Sequence, residues 1–130
     1  MMIERRKEEL KLVEAQYGEL EVDPNVEWFI VKRWQLGPGW SMAETPVLVL
    51  FPPGYPVTPP DNFYTRNELR LSSGGQPGNT SPNVTQAGRT WLQFSWHVEG
   101  GDWQPHAEVL RGHNMLTFLE GLSRRLAEAS

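Results

Sequence analysis

Apolar positions recur with a helical period over residues 2–17, where Ile3, Leu10, Val13 and Tyr17 fall on one stripe. Glu4, Arg5, Lys7, Glu8, Glu9, Lys11 and Glu14 fill the rest of that segment, and Gly18 is placed to end it. The period then shortens to two. Leu20 and Val22 alternate with Glu19 and Glu21 as far as the Asp23-Pro24-Asn25 turn. Val26, Trp28, Ile30 and Lys32 alternate with Glu27, Phe29, Val31 and Arg33, a strand covered on both faces early and on one face later. Beyond the Gly37-Pro38-Gly39 loop, Val47-Leu48-Val49-Leu50-Phe51 is an apolar run of central-strand length. Residues 52–60 hold five prolines in nine and form a rigid turn, because proline fixes φ and has no N–H to give a ladder. Extended backbone resumes at Asn62-Phe63-Tyr64-Thr65. The pattern therefore predicts strands near 19–23, 26–35, 46–52 and 61–65. Residues 66–90, rich in Ser, Gly, Asn and Thr, read as a long loop of the kind that is usually functional or mobile. Trp91–His97 is extended and aromatic, and Gly100-Gly101-Asp102 breaks it. Val109, Leu116, Leu119, Leu122 and Leu126 then predict a second helix over residues 107–127. Strands that follow one another without an intervening helix pair antiparallel. The expected fold is α+β: an N-terminal helix, a four-stranded antiparallel meander, a long flap loop and one C-terminal helix, in a single domain over residues 1–130.

Charge and composition narrow the function classes. A net charge of −4 and a pI near 5.4 provide no basic stripe for phosphates, so nucleic acid is not an expected partner. No apolar run approaches the ~20 residues that span a bilayer. Met1-Met2-Ile3-Glu4-Arg5-Arg6-Lys7 lacks the apolar core of a signal peptide, so no membrane association and a cytoplasmic location are expected. Zero cysteines exclude disulfides, Cys-ligated metals and thiol catalysis within the chain. Gly74-Gly75 and Gly78 match neither phosphate-loop spacing, and no cofactor is expected. His97, His106 and His113 show none of the close zinc pairings, so no metal is expected either. Ser95, His97 and Asp102 could be imagined as a hydrolase triad, but no Gly-x-Ser-x-Gly elbow is present. The six tryptophans supply large apolar surfaces for either a core or a recognition face.

One combination is specific. Phe51-Pro52-Pro53-Gly54-Tyr55-Pro56-Val57-Thr58-Pro59-Pro60 follows a strand, and Ser81-Pro82-Asn83, Trp91-Leu92, Trp103-Gln104-Pro105 and a Leu-striped helix come after it. Over residues 2–127 this resembles the ubiquitin-conjugating (UBC) superfamily, with its Phe-Pro-x-x-Tyr-Pro-x-x-Pro-Pro turn, His-Pro-Asn motif and Trp-x-Pro ahead of a helix. It is similar above all to bacterial members encoded beside ubiquitin-like modifiers and their activating enzymes. The resemblance implies a protein partner: a ubiquitin-like protein, the adenylating activating enzyme, or another product of the same operon.

The departures concern the nucleophile. In the superfamily the catalytic Cys follows the motif Asn by about eight residues, which here reaches Trp91, and precedes the Trp-x-Pro by about eight, which reaches Ser95. The two anchors disagree by four residues, so the segment carries an insertion, and neither position is Cys. Asn83 retains the motif Asn, whose implied role is to orient the flap or stabilise an oxyanion. If 91–97 is extended, Ser95 and His97 share a face, and His97 is either a base for Ser95 or a surface histidine. Three versions of the function follow: a cysteine-less binding component, an enzyme forming an oxyester on Ser95 (or a thioester on a native Cys replaced there by Ser), and a pure interaction module comparable to RWD domains. Trp40, Tyr55, Trp91 and Trp103 are the candidate binding residues, with Trp40 in the Gly-Pro-Gly-Trp loop the first candidate for an exposed anchor and a core role its equal alternative. The chain is also expected to stop after one C-terminal helix, short of the full catalytic fold.

Overall fold

Helix α1 (Met2–Tyr17) forms where the helical stripe predicts it, in a computed structural model that describes residues 2–98 and 100–129. Leu10 and Val13 are buried, and Tyr17 stacks on Trp34 with ring centroids 4.6 Å apart. Ile3 is the exception on the stripe and stays exposed. Gly18 ends α1 with φ +88°, and its N–H donates to Glu14 O at 2.9 Å, a left-handed cap that suits a residue without a Cβ.

Strands β1 (Leu20–Val22), β2 (Trp28–Gln35), β3 (Glu44–Leu50) and β4 (Asp61–Arg66) form the expected antiparallel meander within a few residues of the predicted bounds. The sheet is larger than predicted. Strands β5 (Thr80–Gln86) and β6 (Arg89–His97) form a hairpin that joins through β6, giving the six-stranded order β1-β2-β3-β4-β6-β5. The expected loop over 66–90 is thus a shorter loop followed by an edge strand. β5 needs apolar cover on one face only, so Thr80-Ser81-Pro82-Asn83-Val84-Thr85-Gln86 can be polar and still be a strand. The hairpin turns through Ala87 (φ +52°) and Gly88 (φ +72°), a two-residue connection whose first position seldom holds Ala.

The second helix also starts later than predicted. A single 3-10 turn spans Val109–Arg111, Gly112 is extended, and α2 runs over Met115–Ala129. Asn114 caps α2: its Oδ1 accepts the Thr117 N–H at 3.2 Å, and its own N–H donates to Thr117 Oγ1 at 2.9 Å. Val109 fills the core from the 3-10 turn rather than from a helical stripe.

Both faces of the sheet are apolar. Phe29, Val31, Val47, Val49, Phe63, Leu92 and Phe94 pack under the helices against Leu10, Val13, Phe118, Leu119 and Leu122. Ile30, Leu48, Tyr64 and Trp91 form a smaller cluster on the other face, flanked by Val84 and Ala87 of the hairpin.

Candidate functional site

The end of β6 carries the residues to which the sequence points. Leu92 and Phe94 are fully buried and Trp96 packs against the same core, while Ser95 and His97 are exposed on either side of Trp96. The Ser95 main-chain N–H donates to Asn79 O at 2.9 Å. Among the described residues the Ser95 hydroxyl has no hydrogen-bond partner.

The pairing of β4 with β6 slips between Asp61↔His97 and Phe63↔Phe94, so one residue of β4 faces two of β6. Asn62 takes the slip at φ +62°, and its Oδ1 accepts the Trp96 N–H at 3.2 Å. The slip sets Asp61 beside His97, and the Asp61 carboxylate pairs with His97 Nδ1. That contact fixes the imidazole and leaves Nε2 without a hydrogen-bond partner among the described residues. Asp61 was not singled out from the sequence. The only signal was its place at the head of a strand just after Pro59-Pro60, and its partner lies 36 residues away.

Asn83 is elsewhere. It sits in the β5 bulge at φ +62°, takes a hydrogen bond from Asn67 Nδ2 to Oδ1 (2.9 Å) and returns one from its N–H to Asn67 Oδ1 (2.8 Å). Ser81 pairs with Gln93 and Val84 with Trp91, so Asn83 lies opposite Leu92. Ser95 is three strand residues further on, ~10 Å at the usual rise. Ser95 and His97 stand two residues apart on β6, with no hydrogen bond between them, and Asn83 is not brought to either.

The four aromatic candidates are all buried, and of the two roles open to Trp40 the fold gives it the core one. Trp40 is 8% exposed, its ring 6.2 Å from that of Phe94. The reason lies in the 67–79 loop: Leu71 bridges Trp40, and the Ser41 and Ser72 N–H groups donate to Arg70 O and Gly39 O, both at 2.8 Å, folding the Trp40 loop inward. Trp91 belongs to the outer cluster, and its indole N–H donates to Gln86 O at 2.9 Å. Tyr55 is fully buried and Trp103 nearly so, with the Trp103 indole N–H donating to Pro56 O at 2.7 Å. The tyrosine and tryptophan thus lock the proline turn, in which the Tyr55–Pro56 bond is cis, onto the segment leading to α2.

The family description "Prokaryotic E2 family E" matches residues 2–128. The chain belongs to prokaryotic E2 family E. No curated protein and no solved structure matches it. Membership makes this an E2-like protein of a prokaryotic pathway, in which such proteins interact with other proteins of conjugation. No described helix is long and apolar enough to cross a membrane.

In this family E chain, the end of β6 opens into a cleft of about 370 Å³ between β6 and α2, lined by Trp96, His97, Asp102, Trp103, His113 and Arg124 among others. Gly121 shapes its floor, since a Cβ there would stand 2.7 Å from the Trp96 ring. Among the described residues no group of three or more His, Asp or Glu is placed to hold a metal ion.

A second missed residue is Glu9, fully buried and bonded to the Tyr55 hydroxyl, to Arg5 Nε (2.9 Å) and to the Met115 main-chain N–H (2.6 Å). Burial first, and then the Glu9 carboxylate, push the Tyr55 hydroxyl well above the usual tyrosine range. Large exposed apolar side chains remain at Val57 (82%) in the proline turn and Leu110 (78%) in the 3-10 turn before α2. Trp103 joins the two segments that carry them.

Proposed function

We propose that this chain is the cysteine-less binding component of a bacterial ubiquitin-like protein conjugation pathway, docking the modifier, its adenylating activating enzyme or another product of the same operon rather than carrying the modifier itself. The observation that carries this reading is the state of position 95. Where spacing from Trp103 puts the superfamily's nucleophile, a serine hydroxyl stands with no base hydrogen-bonded to it among the described residues. A thiol is already partly ionised near neutrality, whereas a serine needs a base to become a nucleophile. Val57 and Leu110 supply exposed apolar contacts for a protein partner.

The second reading, an oxyester on Ser95, is favoured by one observation: Asp61 holds His97, two residues from Ser95, in one orientation. One experiment separates the two. The purified chain is mixed with the neighbouring modifier, activating enzyme and ATP, and analysed by calorimetry and on denaturing gels. The proposed function expects a complex with modifier or enzyme and no covalent adduct. An adduct that survives thiols, yields to hydroxylamine, maps to Ser95 and vanishes in Ser95→Ala would overturn it in favour of the oxyester. A thiol-sensitive adduct in Ser95→Cys alone would show that position 95 is presented to the activating enzyme and that serine lacks the reactivity to take the modifier, in keeping with the proposed function. A folded protein that binds neither component points instead to an interaction module outside conjugation.

A further inference from the structure

We propose that residues 103–114 form a proton-operated latch on the wall of the cleft, held shut by two histidines that must be neutral and released when they are protonated. The geometry is the same at both. The Gln104 main-chain N–H donates to His113 Nδ1 at 2.9 Å, and the Glu108 main-chain N–H donates to His106 Nδ1 at 2.9 Å. An imidazole nitrogen accepts only through its lone pair, and in the imidazolium both ring nitrogens are donors. Protonation therefore sets N–H against N–H and ends both bonds.

What these bonds hold is a closed loop. The His113 N–H returns a bond to Gln104 O at 2.9 Å, and the His113 ring stacks on Trp103 with centroids 5.6 Å apart. Gly112 lets the two arms of the loop touch: a Cβ there would lie 2.5 Å from Gln104 O and 2.8 Å from His106 N. Trp103 and His113 both line the cleft, so releasing the loop changes the cleft wall.

The charges around the two rings come from every neighbouring element. From α1, Arg5 donates to His106 O at 2.6 Å, with Glu9 paired behind it. The Glu108 carboxylate, beside His106, pairs with Arg111 at 3.1 Å. Around His113 the cleft presents His97 from β6, Asp102 from the turn at Gly100–Asp102, and Arg124 from α2. His97 has the opposite sense, because protonation strengthens its pairing with Asp61. The sign for the latch is then fixed: its bonds are present where the two rings are neutral and are lost when they take up a proton.

The test is amide hydrogen exchange by NMR on the whole chain, expressed as protection factors so that the intrinsic pH dependence of exchange cancels. The reference is the Lys32 amide, bonded to Glu19 O at 3.1 Å in the sheet. Protection at Gln104 and Glu108 is expected to fall about tenfold from pH 8 to pH 5, the worth of one hydrogen bond, while Lys32 holds steady. His113→Asn and His106→Asn put an Oδ1 acceptor, which does not titrate, at the place of Nδ1. Each is expected to flatten the pH dependence at its own amide partner. A flat wild-type profile, a parallel fall at Lys32, or an unchanged fall in both variants would overturn the latch.

Discussion

Glu9 sits at the meeting point of α1, the proline turn and α2, and its carboxylate is the most demanding group in the molecule. It is fully buried and satisfied by Arg5, Tyr55 and the first N–H of α2, where a negative charge also meets the positive end of the helix. Glu9→Gln leaves the Arg5 guanidinium, itself largely buried, without its counter-charge, and is expected to cost ~3 kcal/mol in urea unfolding. Tyr55 provides a pH-dependent check. Its hydroxyl is held above the ordinary tyrosine range when folded, so the folded state keeps the proton more tightly than the unfolded chain. That contribution is complete below about pH 10 and declines as pH rises beyond it, at up to ~1.4 kcal/mol per pH unit. Tyr55→Phe is therefore expected to cost ~2 kcal/mol at pH 8, with the gap to wild type narrowing by ~1 kcal/mol between pH 10 and 11. An undiminished gap would mean that the hydroxyl is not held protonated by the fold. None of this was legible from the helical stripe, which placed Glu9 among the solvated charges. Its partners Tyr55 and Met115 are 46 and 106 residues away, and local periodicity carries no information at that range.

At the scale of elements, what could be read was whatever local chemistry over-determines. Five prolines allow only a rigid turn, and the 2–17 stripe with a following glycine allows only a helix that stops at Tyr17. The β5–β6 hairpin was missed because its signals are weak at each step. β5 is a polar edge strand, interrupted by Pro82 and a bulge at Asn83, and its turn uses Ala87 where Asn or Gly is expected. Those same features blunt the free edge against pairing with another chain. The turn yields a prediction of gain rather than loss. Ala87 at φ +52° pays a steric cost that Asn largely avoids, so Ala87→Asn is expected to stabilise the fold by ~0.5–1 kcal/mol, read as a higher urea midpoint at unchanged slope. The late start of α2 has a similar origin. Val109 continues the apolar spacing, but Gly112 and the Asn114 cap reset the helix, and a side-chain cap outweighs a stripe that packing can satisfy from a 3-10 turn.

Across the whole molecule, the sequence located the end of β6 by its distance from Trp103, and the fold adds Asp61 to Ser95 and His97 there while leaving Asn83 apart on the hairpin. It could not tell which aromatics are exposed, because all six tryptophans carry the same apolar signal and a loop position such as Trp40 is buried only by a second loop folding over it. The exposed apolar side chains are instead modest ones. Val57 and Leu110 stand on two segments that Trp103 ties together, and neither contributes to a core cluster. Burying such side chains against a partner gains apolar contact, while leaving them in water costs the monomer little, so their value lies in the complex. On the proposed function, Val57→Asp combined with Leu110→Asp is expected to leave urea unfolding within ~0.5 kcal/mol of wild type. The same pair is expected to weaken the complex with modifier or activating enzyme by at least tenfold in calorimetry, because a carboxylate brought into a dry contact loses its water without gaining a partner. Equal affinity in the double variant would move the docking surface away from the proline turn and the 3-10 turn before α2, because a contact centred on either segment would have to bury the new carboxylates.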